Sequence, residues 1–279
     1  MLLEAINSVI NQDYENWELI VIDNFSTDET DKILANISDE RIRSVKKTRT
    51  GSVAASRNLG IGMAVGEWIA FLDSDDLWDT TKLSTVVSFI SRGYEFIYHP
   101  LRILDEKNPN TKYRAPRSAR IKTPIYLNLL LGGNKIALSS VVVRKMHLEA
   151  IGGMDESKDL YALEDYDTWL RISQITEKFV RIPKVLGSYR VHENNISNEN
   201  SFVHVTRGLE PHLMGLNTHQ RRRFDALYIY KEVAHQMKEH DYSHFWRKFL
   251  FALRYAPMKY SIRLLVRLLK TSIHSIFSR

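Results

Sequence analysis

The chain has 279 residues, of which 44% are hydrophobic and 26% are charged, and this composition is typical of a soluble globular protein. It contains no cysteine, which excludes disulfide frameworks, cysteine-ligated metal centres and thiol catalysis. The net charge is +6, but residues 221–279 carry 13 Lys and Arg against four Asp and Glu. The main body is therefore slightly acidic, which disfavours nucleic acid as its partner.

The start of the chain does not resemble a secretory signal, because Glu4 interrupts a short apolar stretch. No run approaches the roughly 18–20 apolar residues that span a bilayer. We therefore expect a cytoplasmic protein, peripheral on the cytoplasmic face of a membrane through its basic end.

Hydrophobic patterning predicts alternating helices and strands through the first hundred residues. An amphipathic helix opens the chain, and the buried strand 17–22 follows it and ends at Asp23. A second buried strand, 67–72, ends in the acidic sequence DSDD. The alternation indicates an α/β fold with a mainly parallel sheet flanked by helices. We expect the two acid-ended strands to share one sheet.

The later part of the chain changes character near residue 200. A polar loop is predicted over 105–123, a strand over 138–143 and a helix over 163–175. Beyond residue 201 the pattern is helical to the end. The sequence therefore predicts a domain over residues 1–200 and a basic helical region over 201–279.

The DSDD sequence is a candidate metal site. Asp73 and Asp75 are two residues apart, so in extended chain their side chains point the same way. Carboxylate oxygens are the ligands that Mg²⁺ and Mn²⁺ prefer, and such an ion binds a diphosphate. The alternative is that DSDD caps the next helix.

A second acidic cluster opens the helix predicted over 163–175. Glu164 and Asp165 lie in its first turn, where the helix dipole favours ionised carboxylates. Asp165 and Trp169 are four residues apart and share a helix face. A carboxylate beside an aromatic ring is a reasonable general base next to a sugar. The alternative is that these acids only decorate a helix start.

A third group lies in the sequence YRVHENNIS, at residues 189–197. The imidazole of His192 can complete a carboxylate metal site, and Arg190 can pair with a phosphate. The alternative is that this single histidine is structural or merely exposed.

Together these segments resemble the family 2 glycosyltransferases of GT-A fold. The resemblance rests, in chain order, on AINSVINQDYENWELIVIDNFSTDET, SVAASRNLGIGMAVGEWIAFLDSDDLW, GGMDE, LEDYDTWLRI and YRVHENNIS. It covers residues 2–197, about seven tenths of the chain.

The resemblance implies roles for five residues on the donor side. Asp23 contacts the nucleotide base, Arg57 helps to bind the nucleotide, and Asp73 faces the ribose or the sugar. Asp75 holds Mn²⁺ or Mg²⁺ on the diphosphate, and His192 lies on a loop that closes over the nucleotide and touches the metal. The implied donor is a UDP- or dTDP-linked hexose.

On the acceptor side, the resemblance makes Asp165 the catalytic base and places the loop at Gly153 near the acceptor. We expect Glu164 and Trp169 on the acceptor side as well. The implied reaction is a single displacement that inverts the anomeric carbon. The implied acceptor is a hydroxyl of a polysaccharide or of a lipid-linked saccharide.

Two other functions remain open from the sequence. The family's usual first strand, of the type V-S-V-I-I-P-x-Y-N, has no counterpart here, so a catalytically impaired GT-A-like binding module is one alternative. A phosphohydrolase of the haloacid-dehalogenase type also places D-x-D after an apolar strand. That family has Thr or Val two residues after the second Asp, where this chain has Leu77.

The C-terminal residues 257–279 predict a basic amphipathic helix. In the sequence SIRLLVRLLK, cations recur at Arg263, Arg267 and Lys270, on the side opposite an apolar stripe. Such a helix is typical of an anchor to an anionic membrane surface. The alternative is that its apolar stripe packs on the rest of the protein.

Overall fold

A computed structural model of the chain describes residues 1–47, 51–105, 118–192, 202–239, 245–258 and 260–266. Its helices are α1 (Leu2–Ile10), α2 (Thr30–Ala35), α3 (Val53–Met63), α4 (Lys82–Ile90), α5 (Ile125–Leu130), α6 (Lys145–Ala150), α7 (Glu164–Ser173), α8 (Phe202–Gly208), α9 (Glu210–Leu213), α10 (Thr218–Glu239) and α11 (Phe245–Tyr255). Its strands are β1 (Leu19–Asp23), β2 (Ile42–Lys46), β3 (Trp68–Ala70), β4 (Leu77–Trp78), β5 (Phe96–Tyr98), β6 (Arg102–Asp105), β7 (Val142–Arg144), β8 (Phe179–Arg181) and β9 (Gly187–Val191). The predicted α/β fold class is confirmed.

The chain divides into two compact units. The first comprises Met1–Tyr126 and Asn134–Ile196, and the second comprises Leu127–Gly133 and Ser197–Arg279. The second unit thus takes in a short segment from the middle of the chain, which a division near residue 200 does not anticipate.

The strand pairing in the first unit is mixed. The described strands form sheets of order β1–β2, β3–β7–β5–β8 and β4–β9–β6. The pairs β1–β2, β5–β8 and β6–β9 are parallel, whereas β3–β7, β5–β7 and β4–β9 are antiparallel. Most paired positions are parallel, as predicted, while β7 runs antiparallel to both of its neighbours.

The two acid-ended strands, β1 and β3, share no ladder among the described residues, so the expectation of one common sheet was wrong. Instead, helix α3 lies beside β1 and forms an ion pair with the turn that follows β3. A Cβ on its Gly60 would lie 3.6 Å from Ile22 of β1, and its Arg57 forms an ion pair with Asp73 beyond the end of β3. Ser52 caps this helix by accepting a hydrogen bond from the Ala55 backbone N–H.

The core of the first unit lies around β5, whose residues are buried on both faces of the sheet. Ile97 of this strand belongs to a cluster of buried aliphatic side chains with Val86, Val142, Ile182 and Leu186. A strand buried on both faces reads as a continuous apolar run, as Phe-Ile-Tyr does here. Trp68 and Ala70 of β3 pack against this cluster, and the acidic residues follow β3.

The second unit is helical in its described part. The predicted strand-free pattern beyond residue 201 is confirmed there, since α8 to α11 follow one another and residues 260–266 are also helical. Helices α10 and α11 pack through a cluster that includes Val233, Phe245, Phe249, Ala252 and Leu264. Within the described residues, no helix is both long enough and apolar enough to cross a bilayer.

Candidate active site

Three carboxylates converge in the turn after β3, over Asp73–Asp76, which we call the acid turn. Oxygens of Asp73, Asp75 and Asp76 all lie within 4.8 Å of one another. The backbone of the turn is fixed, because the Asp76 N–H donates to the Asp73 carbonyl at 3.1 Å and the Asp73 N–H donates to Ser139 Oγ at 3.0 Å. A set of hard carboxylate oxygens at this spacing fits a Mg²⁺ or Mn²⁺ ion.

Asp76 is a member of this cluster that the sequence interpretation missed. Strand alternation predicts that it points away from Asp73 and Asp75, but the chain turns here and the alternation no longer holds. Asp76 is only 1% exposed, and burial raises its pKa to about 7 even though the Arg190 backbone N–H donates to its Oδ1 at 3.0 Å. The adjacent pair of acids was the only signal in the sequence.

A buried lysine lies beside the acid turn. Lys82, at the start of α4, is fully buried, and its Nζ donates to the Ser139 carbonyl at 3.0 Å and lies 3.6 Å from the centre of the Trp78 ring. Burial holds the pKa of this ammonium well below its ordinary value, although the charge of Asp76 opposes that shift. A single lysine in a helical pattern gives no sequence signal of such a position.

The end of β9 contacts the acid turn through two side chains. His192 Nε2 lies 2.8 Å from Asp75 Oδ2, so the structure brings together the two residues that we expected to bind metal. Arg190 Nε donates to the Asp75 carbonyl at 2.9 Å, and its Nη2 donates to Glu4 Oε2 at 2.8 Å. Arg190 is 5% exposed and positions the acid turn through these contacts; its pairing with a phosphate remains a prediction.

Arg57 joins the acid turn to the start of α7. Its Nη2 lies 2.9 Å from Asp73 Oδ1, and its Nη1 lies 2.6 Å from Glu164 Oε1. Burial raises the pKa of Asp73, and the Arg57 charge opposes this shift. One cation therefore forms ion pairs with two carboxylates from distant parts of the sequence.

Asp165, the expected base, lies in the first turn of α7 and is 9% exposed. Its Oδ2 accepts a hydrogen bond from Asn134 Nδ2 at 3.1 Å, and its Oδ1 accepts from the Tyr166 N–H at 2.6 Å. Ala162, just before the helix, has a φ of 58°, a left-handed conformation that non-glycine residues rarely adopt outside functional sites. Asn134 was not predicted, because nothing in its local sequence marks it.

Gly153 lies where no side chain fits. Its φ is +80°, and a Cβ there would lie 2.7 Å from Asn58 Oδ1. Asn58 of α3 accepts from the Met154 N–H and donates to the Met154 carbonyl, both at 2.8 Å. The Gly153 loop is therefore hydrogen-bonded to the same helix that carries Arg57. The close approach of Asn58 explains why a glycine occupies position 153.

Trp169 does not face an acceptor. It is fully buried, and its ring centre lies 6.0 Å from that of Phe71 and 4.9 Å from that of Phe96. The acceptor-side assignment was wrong, because the four-residue spacing from Asp165 identifies a shared helix face but does not tell whether that face meets solvent or the core.

Asp23 ends β1 and is 4% exposed. Its Oδ1 accepts from the Ser26 N–H at 2.8 Å, and Lys46 Nζ lies 3.7 Å from its Oδ2. That buried Oδ2 accepts no hydrogen bond in the described part of the chain. Asp23 forms no hydrogen bond or ion pair there with the acid turn, and its nucleotide role remains a prediction.

Comparisons with known proteins show which family the chain matches. The model of the family described as Glycosyl transferase family 2 matches residues 1–151. Two Escherichia coli proteins, WfgD and WfaP, are each 31% identical to the chain, over 73% of it and 76% of their own length. Both are named UDP-Glc:alpha-D-GlcNAc-diphosphoundecaprenol beta-1,3-glucosyltransferases.

Solved structures show the same fold at low sequence identity. TarS of S. aureus, determined with UDP, has a TM-score of 0.62 and 17% identity over 84% of this chain and 68% of its own. The mannosyltransferase PcManGT of Pyrobaculum calidifontis, determined with GDP-Man and Mn²⁺, has a TM-score of 0.58 and 15% identity over 100% of this chain and 84% of its own.

The family match removes the haloacid-dehalogenase-type phosphohydrolase from the alternatives, because it covers the acid turn on which that alternative depended. The structural neighbours bear out the expected GT-A fold. The chain is a glycosyltransferase and belongs to glycosyl transferase family 2.

Proposed function

We propose that this glycosyltransferase moves a hexose from a UDP- or dTDP-linked donor to a hydroxyl of a lipid-linked saccharide, with inversion at the anomeric carbon. The convergence of three carboxylates in the acid turn carries the proposal, since such a cluster suits a diphosphate with its cation. The two Escherichia coli relatives use UDP-Glc and a diphosphoundecaprenol-linked acceptor by name, which favours UDP and a lipid carrier here.

On the donor side, Asp73, Asp75, Asp76 and His192 would hold Mn²⁺ or Mg²⁺. When bound, such an ion neutralises negative charge on a diphosphate leaving group. Asp73 also faces the ribose or the sugar, and Arg57, held between Asp73 and Glu164, orients that carboxylate and adds positive charge beside it.

Asp23 contacts the nucleotide base. Its Oδ2 is buried and accepts no hydrogen bond within the described residues, so a base N–H would satisfy it. Such a hydrogen bond would add to the charge of Lys46, whose Nζ lies 3.7 Å from the same oxygen.

On the acceptor side, Asp165 takes the proton of the attacking hydroxyl as general base. Asn134 orients its carboxylate through the 3.1 Å hydrogen bond to Oδ2. Glu164 and the Gly153 loop border the acceptor. The attack comes from the face opposite the leaving diphosphate, so that one displacement inverts the configuration and needs no enzyme nucleophile.

We assign transfer to the domain over residues 1–200 and attachment to the basic region over 201–279. In this proposal the protein is cytoplasmic, residues 257–279 contact an anionic membrane surface, and nucleic acid is not a partner. Residue 259 and residues 267–279 lie outside the described part of the chain.

Thermal unfolding with UDP and dTDP, with and without Mn²⁺, tests the donor site. We expect a Mn²⁺-dependent rise in Tm for the wild type and none for Asp75→Asn, because the variant loses a ligand charge. Asp13→Asn is the matched control, since this carboxylate of the same unit is exposed and accepts a hydrogen bond from Ser84.

Transfer of labelled glucose from UDP-glucose to a diphosphoundecaprenol-linked sugar completes the test. A wild type that binds neither nucleotide contradicts the donor assignment. A wild type that binds UDP and Mn²⁺ but transfers no sugar from any nucleotide hexose favours the impaired binding module.

A further inference from the structure

Helix α11 is hydrophobic on two sides. Its inner side, with Phe245, Phe249 and Ala252, packs into the core of the second unit. Its outer side carries Trp246 and Leu250, which are 58% and 62% exposed. A helix at a water-facing surface normally has polar residues on its outer side, so this outer side requires another explanation.

The residues after Pro257 repeat this pattern. Met258, Ile262 and Val266 recur every four residues, and all three are exposed, whereas Leu264 is buried in the core cluster. Large exposed apolar side chains thus recur along both described segments near the C-terminus. Scattered apolar residues are normal on a surface, but repeated stripes of them indicate an interaction site.

The charged residues carried by α11 and by the segment after Pro257 are all cationic, although Glu232 of α10 pairs with Lys248. Arg247 and Arg254 are exposed on α11, with Arg254 continuing the stripe of Trp246 and Leu250, and Arg263 is exposed beside Ile262. The chain has no Asp or Glu after Asp241. The rim of a protein–protein interface usually carries charges of both signs. A surface with only cations beside exposed apolar side chains instead matches a bilayer, in which anionic headgroups lie above acyl chains.

We propose that the outer side of α11, with the stripe of Met258, Ile262 and Val266, binds the surface of a bilayer that contains anionic lipid. Trp246 and Leu250 enter the interface, and the arginines contact the headgroups. This extends the attachment beyond residues 257–279 to α11. The proposal rests on the proposed function in one respect, since a lipid-linked acceptor presents its saccharide at a bilayer surface.

Co-sedimentation of the full chain with vesicles tests the proposal. The vesicles are phosphatidylcholine alone and phosphatidylcholine with phosphatidylglycerol, at low and high salt. We expect binding to the anionic vesicles that weakens with salt, and a loss of at least about tenfold for Trp246→Ser/Leu250→Ser, because burial of a large apolar side chain is worth about 1.5–3 kcal/mol. Arg254→Gln should weaken binding about fivefold, which corresponds to about 1 kcal/mol per cation.

The matched control is Val203→Ser/Met214→Ser, which removes two apolar side chains of the same unit that are 63% and 76% exposed. It should bind vesicles as the wild type does. Circular dichroism checks that all variants fold, which the exposure of the substituted positions favours. Equal sedimentation of Trp246→Ser/Leu250→Ser and the wild type overturns the proposal.

Two further measurements distinguish lipid binding from self-association of the chain, and distinguish this proposal from the proposed function. Analytical ultracentrifugation without lipid detects a second copy on this surface; a dimer that Trp246→Ser/Leu250→Ser abolishes overturns the lipid proposal. Mn²⁺-dependent UDP binding in solution should be unchanged in this variant. A wild type that binds vesicles but not UDP contradicts the proposed function alone.

Discussion

The two units of the chain differ in the interactions that hold their side chains in place: polar contacts in the first unit and apolar packing in the second. In the first unit, polar side chains from distant parts of the sequence hold one another, as Arg57 holds Asp73 and Glu164, and Arg190 holds the acid turn. In the second unit, the contact between α10 and α11 is largely an apolar cluster. A substitution that removes one polar atom should therefore lower the activity or stability of the first unit. Substitutions on the outer side of α11 should leave the stability of the second unit nearly unchanged.

The largest expected effect concerns the base. Asp165→Asn should lower kcat by about 10²–10⁴-fold, because the amide cannot accept the proton of the acceptor hydroxyl. Mn²⁺-dependent UDP binding should be unaffected, and Asp13→Asn should keep wild-type kcat. Steady-state kinetics with saturating donor measures this. Near-normal turnover of Asp165→Asn would show that another residue is the base.

The next effect contrasts a buried and an exposed tryptophan. Trp169→Ala should lower the free energy of unfolding by about 3–5 kcal/mol, because it leaves a cavity beside Phe71 and Phe96. Trp246→Ala should change it by no more than about 0.5 kcal/mol, as for most surface positions. Urea denaturation followed by circular dichroism compares them, and equal losses would contradict the burial of Trp169.

A smaller effect tests the positioning role of Arg190. Arg190→Lys should weaken Mn²⁺ binding about 10–100-fold, as loss of an outer partner does at other metal sites, because a lysine lacks the planar fork that reaches both the Asp75 carbonyl and Glu4. Calorimetric titration with Mn²⁺ in the presence of UDP measures it. The control is Arg92→Lys, at an exposed position in the turn after α4. An unchanged affinity would make Arg190 purely structural.

The smallest effect depends on pH. Burial raises the pKa of Glu95, but hydrogen bonds from Thr176, Lys178 and His147 outweigh this and lower it to about 2. The ionised carboxylate therefore stabilises the fold above its unfolded pKa of about 4.3, and this stability is lost as the pH falls towards 2.

Glu95→Gln should accordingly destabilise the protein by about 1–3 kcal/mol at pH 7. The difference from the wild type should narrow as the pH is lowered from 5 towards 2. Urea denaturation at several pH values measures it, with the exposed Glu40→Gln as control. A difference that stays constant with pH would contradict the lowered pKa.

The sequence predicted those parts of the molecule that depend on local pattern. The strand before Asp23 and the helix that starts at Glu164 follow from apolar runs and from acids in a first helical turn. The acid turn and its contact with His192 were predicted from the chemistry of the residues together with the family resemblance.

What the sequence could not give depends on contacts between distant elements. Asn134 and Lys82 reach the site only because the fold places them there, and Asp76 joins it because the chain turns. For Trp169, helix periodicity predicted which face of α7 carries the side chain. It did not predict that this face packs against the core. The mixed strand directions likewise depend on how β7 returns to the sheet.

The position of Arg57 between Asp73 and Glu164 has a consequence for how this site can change over time. Removing Arg57 leaves two carboxylates without the cation they share, whereas removing either carboxylate leaves Arg57 paired with the other, so loss of the arginine alone should cost the most. The effects of these substitutions in a double-mutant cycle will therefore not add. Variants that alter one of these positions should survive selection mainly with a compensating change at another, so the three positions are expected to co-vary.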